Sequence, residues 1–174
     1  MYTFRKWVFT QVAIGELIAI AVLTLLSLIL AVNVYYDIRF KISYHRALSS
    51  SASGRLDLAI PQVQNALSYR GDFPPARELY AKMLIDGVKR DTASMASLAE
   101  AEALLRKNTE RQAKPTVATY LCLAAVHIKR YDLARARKED AAAELTAAAE
   151  AIGEAESIDS DSVEAMIMRF GLLK

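Results

Sequence analysis

Side chains able to do acid-base, nucleophilic or metal chemistry are sparse and scattered in this chain. The two histidines, His45 and His127, stand without a cysteine, an aspartate or a second histidine at metal-ligand spacing, so no metal site is expected. A single cysteine, Cys122, excludes an internal disulfide framework and a thiolate cluster. Its setting, Tyr-Leu-Cys-Leu-Ala-Ala-Val, reads as buried core. No nucleophile elbow, phosphate-cradling glycine loop or haem-attachment motif is present. Glu100 and Glu102, two apart, point in different directions on a helix, as do the adjacent Glu139 and Asp140, and all four read as solvated surface. The sequence therefore predicts no catalytic residue, no cofactor and no small-molecule substrate, and the chain does not read as an enzyme.

The remaining charged features favour structural readings. Lys129, Arg130, Arg135, Arg137 and Lys138 form the densest basic cluster, and Glu139 and Asp140 follow it at a spacing that lets them pair with it. A formal net charge of +2 over 174 residues gives no field of the kind that nucleic-acid binding needs. Glu16 borders the most apolar stretch of the chain at a depth from which it can reach an aqueous interface, so it reads as interfacial rather than proton-carrying.

That apolar stretch, residues 17–34, is interrupted by nothing more polar than Thr24, Ser27 and Asn33. As a helix it spans roughly 27 Å, and Val12, Ala13 and Ile14 lengthen it, which is enough to cross a hydrocarbon layer. Tyr2, Phe4, Trp7 and Phe9 flank it on one side and Tyr35, Tyr36, Phe40 and Tyr44 on the other, two expected aromatic belts in the headgroup zone with Trp7, Tyr35 and Tyr36 as the nearest anchors. The stretch exceeds the apolar region of a signal peptide and ends in Val-Asn-Val-Tyr-Tyr without a small-x-small cleavage pattern, so an uncleaved anchor is expected. Gly15 with Ala19, and Ser27 with Ala31, are small-xxx-small pairs able to receive another membrane helix. The basic flanks are nearly balanced. Arg5 and Lys6 lack an acidic neighbour whereas Asp37 follows the span, which tips the expectation towards an extracytoplasmic soluble domain, periplasmic in a bacterium.

After the span, helical patterns follow one another without a β-type alternation. The expected organisation is a flank at 1–11, a transmembrane helix at 12–36 that runs on to about Ser50, and a helical domain at 37–174. A serine cluster closing on Gly54 should end the first helix. The second is expected at 56–69, with Pro61 forcing a kink or a later start. The third is expected to begin after Gly71 with Asp72 as its N-cap and Pro74 and Pro75 in its first turn, and to carry Leu79, Tyr80, Met83, Leu84 and Val88. A break at 89–92, a fourth helix at 94–108, a fifth opened by Lys114-Pro115-Thr116 and closing near Ile128, a break at 129–132, a sixth ending between Gly153 and Ile158, and a seventh from Val163 complete the pattern. The breaks at Gly54, Arg90 and Lys129 are almost evenly spaced, near the period of roughly 34–40 residues of two-helix solenoid repeats.

Three segments resemble the second half of a tetratricopeptide repeat, a turn followed by an aromatic or leucine and then spaced alanines. They are Gly54-Arg55-Leu56-Asp57-Leu58-Ala59-Ile60 with Val63, Ala66 and Leu67; Gly71-Asp72-Phe73-Pro74-Pro75-Ala76-Arg77 with Tyr80, Met83 and Leu84; and Lys129-Arg130-Tyr131-Asp132-Leu133-Ala134-Arg135 with Ala141. Gly54 and Gly71 are too close for both to open a second helix, and Gly54 gives the more even spacing. The resemblance implies an all-α fold, one transmembrane helix followed by about three helical hairpins and a terminal helix, and a role in binding protein partners. The lysines and asparagines of carboxylate-clamp members are missing from Thr119-Tyr120-Leu121-Cys122-Leu123, so that activity is not implied. Two functional expectations result: a membrane-anchored scaffold or assembly factor, or a permanent accessory subunit of an integral-membrane complex held mainly by its span.

Overall fold

The computed structural model describes residues 2–88, 93–111 and 115–172, with the side chains of residues 2–14, 93 and 111 left out of the description. Within them the chain is all-α, with no strand: α1 (Tyr2–Ala52), α2 (Leu56–Tyr69), α3 (Pro74–Asp86), α4 (Ala93–Arg111), α5 (Val117–Ala136), α6 (Ala142–Ile158) and α7 (Val163–Leu172). The expected break at 89–92 and Lys114 fall outside the described residues.

One unbroken helix carries both the apolar stretch and the first wall of the soluble domain. α1 is long and apolar enough to cross a membrane, and none of that apolar segment is buried within the chain, unlike a core helix. Large side chains such as Leu17, Leu23 and Leu30 are exposed along it, while further on Phe40, Ser43 and Ala47 are buried at helical spacing, so Phe40 belongs to the core and not to the expected aromatic belt. α1 ends in a Schellman turn, as the Arg55 amide donates to the Ser50 carbonyl and the Gly54 amide to Ser51. Gly54 takes φ +70°, a conformation that costs glycine nothing.

Consecutive helices pair as hairpins, α1 with α2, α3 with α4 and α5 with α6, and α7 rests on α6. Small residues stand where these helices meet: Ala59 and Ala66 on α2, and Ala148, Ala151 and Ala155 on α6, are buried. Alanine at such positions lets backbones approach closely. α4 buries Ser94, Leu98, Ala101, Leu105 and Asn108, a single stripe at alternating spacings of four and three. Further contacts join α1 to α3 and α3 to α5, so the odd-numbered helices line up side by side.

Several local expectations are corrected. α2 starts at Leu56 and is continuous through Pro61. Pro61 removes one donor to the Asp57 carbonyl, in the first turn and a half, and no later start results. The N-cap of α3 is Phe73 rather than Asp72, because Pro74 and Pro75 occupy the first two helical positions and Ala76 and Arg77 donate their amides to the Phe73 carbonyl. α3 ends at Asp86, leaving Val88 beyond it but packed on the core.

The largest correction concerns 129–132, which is not a break. α5 runs through it to Ala136, since lysine, arginine, leucine and alanine are good helix formers and no glycine or proline interrupts them. The turn comes later, where Lys138 adopts φ +59°, Lys138 donates its amide to Arg135 and Glu139 to Ala134. This is again a Schellman turn, built on lysine instead of glycine. Second helices thus open at Leu56, Ala93 and Ala142, and the second interval is longer than the first.

Candidate functional site

The side-by-side odd helices enclose a groove of about 640 Å³. α1 contributes Tyr44 and Leu48, α3 Leu79, α5 Ala118 and Cys122, and α7 Ile167. Ala118 and Ile167 are exposed, so the floor and one wall are open to a ligand without unpacking the core. The lining is mostly apolar, and its charged members are Glu78, Asp86 and Glu164 against Lys82.

Glu78 is held in place from α5. Thr116 caps that helix by accepting the Thr119 amide at 3.1 Å on its hydroxyl oxygen, and the same hydroxyl donates to Glu78 Oε1 at 2.7 Å. The Thr119 hydroxyl also donates to Oε1, so two donors fix one carboxylate oxygen and Oε2 takes neither bond. A carboxylate oriented before any ligand arrives loses little freedom on binding.

Cys122 packs against the core as expected, but it is only partly buried and also lines this groove. Burial of the thiol, reinforced by Glu78, pushes its pKa up to about 11, while Lys82 opposes the shift. A thiol so tuned is a poor nucleophile at neutral pH.

Behind the groove, polar links tie the hairpins together. Buried Arg77 donates through Nη1 to Asn108 Oδ1 at 3.1 Å and through Nη2 to the Gly71 carbonyl, and Asn108 Nδ2 donates to the Pro74 carbonyl at 3.3 Å. The Tyr80 hydroxyl accepts from Gln64 Nε2 at 2.5 Å and donates to Glu100 Oε1 at 2.8 Å. Burial, with Glu100 beside it, raises the Tyr80 pKa above the ordinary phenol value. His127 Nδ1 lies 2.7 Å from Glu144 Oε2 and joins α5 to α6.

The carboxylates read as solvated divide. Glu102 bonds Arg106 at 2.7 Å and Arg130 at 2.6 Å, and so ties α4 to α5. Desolvation pushes its carboxyl pKa up, but the hydrogen bonds and charges of Arg106 and Arg130 together hold it below the usual value. Arg130 therefore leaves the basic cluster for an interhelical pair. Asp140 does not pair with the cluster among the described ion pairs, and instead accepts the Ala142 amide at 3.1 Å at the start of α6.

Of the residues predicted from sequence, Gly15, Ala19, Ser27 and Ala31 are exposed on α1. At 3.6 residues per turn the two pairs are centred about 120° apart around the helix, so they do not form one stripe. The Ser27 hydroxyl donates to the Leu23 carbonyl at 2.8 Å. Tyr35 and Tyr36 are exposed at the end of the apolar stretch, and the Trp7 side chain lies outside the described residues. Among the described residues no group of three or more His, Cys, Asp or Glu is placed to hold a metal ion. Comparison with protein-family models, curated proteins and solved structures found no match.

Proposed function

We propose that this chain is a single-pass membrane protein whose tetratricopeptide-like array serves as a scaffold or assembly factor, holding another protein in the groove of its odd-numbered helices. The observation that carries this reading is the groove itself: pairing of consecutive helices leaves α1, α3, α5 and α7 on one shared, largely apolar surface. Repeat arrays use such surfaces for extended partners. The three carboxylates against one lysine favour a partner segment with apolar anchors and basic residues. The asymmetry of the flanks supports an extracytoplasmic array.

A second reading, a permanent accessory subunit of an integral-membrane complex, is favoured by a separate observation. α7 exposes Val163, Met166, Ile167 and Phe170, a stripe at i, i+3, i+4 and i+7 suited to constant cover by another helix.

Photo-crosslinking of the full-length protein in membranes separates the two. A photoreactive residue at Ala118 in the groove is expected to trap one partner that the same residue at Ala103 on the exposed side of α4 does not reach. Crosslinks confined to probes at Gly15 or Ala31 would replace the scaffold with the accessory subunit.

A further inference from the structure

Where the soluble domain sits relative to the bilayer follows from the contacts at the base of the first hairpin. α2 returns antiparallel to α1, and its last turn meets α1 just beyond the apolar stretch. Tyr69 packs edge-on against Tyr36 with ring centroids 5.8 Å apart, and Tyr36 in turn against Tyr35 at 6.0 Å. The Arg39 guanidinium stands 5.8 Å over the Tyr35 ring and 5.9 Å over Tyr69. Arg70 lies over Phe40 and Phe73 and bonds Asp37 at 3.3 Å, while Lys41 takes the other Asp37 oxygen at 2.7 Å.

The outer face of α1 adds an independent sign. Tyr35, Ile38 and Ile42 are exposed at i, i+3 and i+7, so an apolar stripe continues past Val34 on the side that α2 leaves uncovered. Four residues of helix, from Tyr35 to Arg39, climb about 6 Å. Interfacial regions occupy roughly 5–7 Å beyond the hydrocarbon on each side. Tyrosine rings and arginine side chains with apolar stems suit that layer.

We propose that the base of the first hairpin, Tyr35 to Arg39 on α1 with Tyr69 and Arg70 on α2, is embedded in the lipid headgroup layer, so that the bilayer surface is itself a partner of the soluble domain. The inference rests on the membrane-spanning reading of α1. It differs from a stalk, in which only α1 would touch lipid. Two contact points on different helices, Tyr35 and Tyr69, hold the domain against rotation about the axis of the span. The Arg39 guanidinium stands over the Tyr35 and Tyr69 rings and hydrogen-bonds both tyrosines, and its remaining donors can meet lipid phosphate, whereas the Asp37 oxygens are already taken by Lys41 and Arg70.

The test places one tryptophan at the base and one at the far end of the same hairpin. Tyr69→Trp and Ser53→Trp, each in a Trp7→Phe background, are reconstituted into phosphatidylcholine vesicles as full-length protein. Ser53, in the turn just past the end of α1, lies about 26 Å from Tyr36 along the helix direction. Headgroup spin-labelled lipid is expected to quench Tyr69→Trp at least threefold more than Ser53→Trp, with the opposite order for aqueous iodide. Equal quenching of the two by either agent overturns the proposal. Should Tyr69→Trp fail to fold, a nitroxide on Ser68→Cys in a Cys122→Ala background reads the same depth from collisions with oxygen and with a water-soluble nickel chelate. Alkaline extraction run in parallel separates the two possible failures. A chain released by carbonate has lost the span and the docking with it, whereas a retained chain with an aqueous Tyr69 probe has lost the docking alone.

Discussion

Lys138 is the residue whose replacement should stabilise this protein. It ends α5 with φ +59°, where a side chain beyond Cα crowds the following carbonyl. That conformation costs a residue other than glycine about 1–2 kcal/mol. Lys138→Gly removes this cost, while the freer unfolded chain returns roughly 0.4–1 kcal/mol. The net gain is about 0.5–1 kcal/mol, which at a urea slope of about 1.5 kcal/mol/M raises the midpoint by about 0.3–0.7 M. Lys138 is exposed, so side-chain contacts contribute little. Lys138→Ala, which keeps the Cβ, is the matched control and should stay within about 0.5 kcal/mol of the parent. The assay is urea unfolding of the full-length protein in mild detergent, followed by the helical circular dichroism of the soluble domain. A Lys138→Gly midpoint at or below that of Lys138→Ala would refute the placement of the α5 to α6 turn, and with it the extension of α5 through 129–136.

Two further outcomes follow from the titrating groups. With its pKa pushed up to about 11, Cys122 should be alkylated at pH 8 about two orders of magnitude more slowly than an ordinary thiol, with the rate rising about tenfold per pH unit towards that value; fast modification at pH 8 would contradict its setting in the groove wall. Glu102 has a folded pKa below its unfolded one, so its contribution to stability is present above about pH 4.3 and is lost as pH falls through the folded value. The stability lead of the parent over Glu102→Gln should therefore shrink between pH 7 and pH 3 in urea titrations, and a lead that does not change with pH would dissolve the Glu102 link to Arg106 and Arg130.

The fold is legible in the sequence where a single residue type dictates local geometry. Gly54 marks a left-handed turn because few other residues take that conformation cheaply, and the start expected for α5 at Lys114-Pro115-Thr116 agrees with a helix from Val117, whose cap on the Thr116 hydroxyl the structure adds. The fold is not legible where a residue acts against its type. Nothing in lysine announces the turn at Lys138, so the charged run at 129–132 is the more conspicuous candidate in the sequence, and the turn between α5 and α6 lies several residues beyond it. Asp72 has good capping chemistry but stands one residue before the position that the proline pair fixes. The groove was not legible at all, because Leu48, Leu79, Ala118 and Ile167 come from four separate helices and share a surface only after the hairpins stack. Glu102 looks solvated in the sequence for the same reason, as its partner Arg130 belongs to another helix.

The continuity of α1 links the groove to the membrane in the proposed reading. From Leu17 to Ala52 the helix contains neither glycine nor proline, the usual sites of sharp bending. Tyr44 and Leu48, which wall the groove, therefore move with the span as one body. Counted along the helix from Val34, they stand roughly 15 and 20 Å above the hydrocarbon boundary, clear of a headgroup layer of about 5–7 Å. A segment belonging to a neighbouring membrane protein must first climb to it, which takes about five or six extended residues at roughly 3.4 Å each. A partner held there, as proposed, would therefore need a longer juxtamembrane tail or arrive as a free chain from the aqueous side. If the base of the hairpin is held in the headgroups, that height is fixed by Tyr69 and Arg70 as well as by the span, and tilting of α1 alone cannot lower the groove to reach a shorter tail.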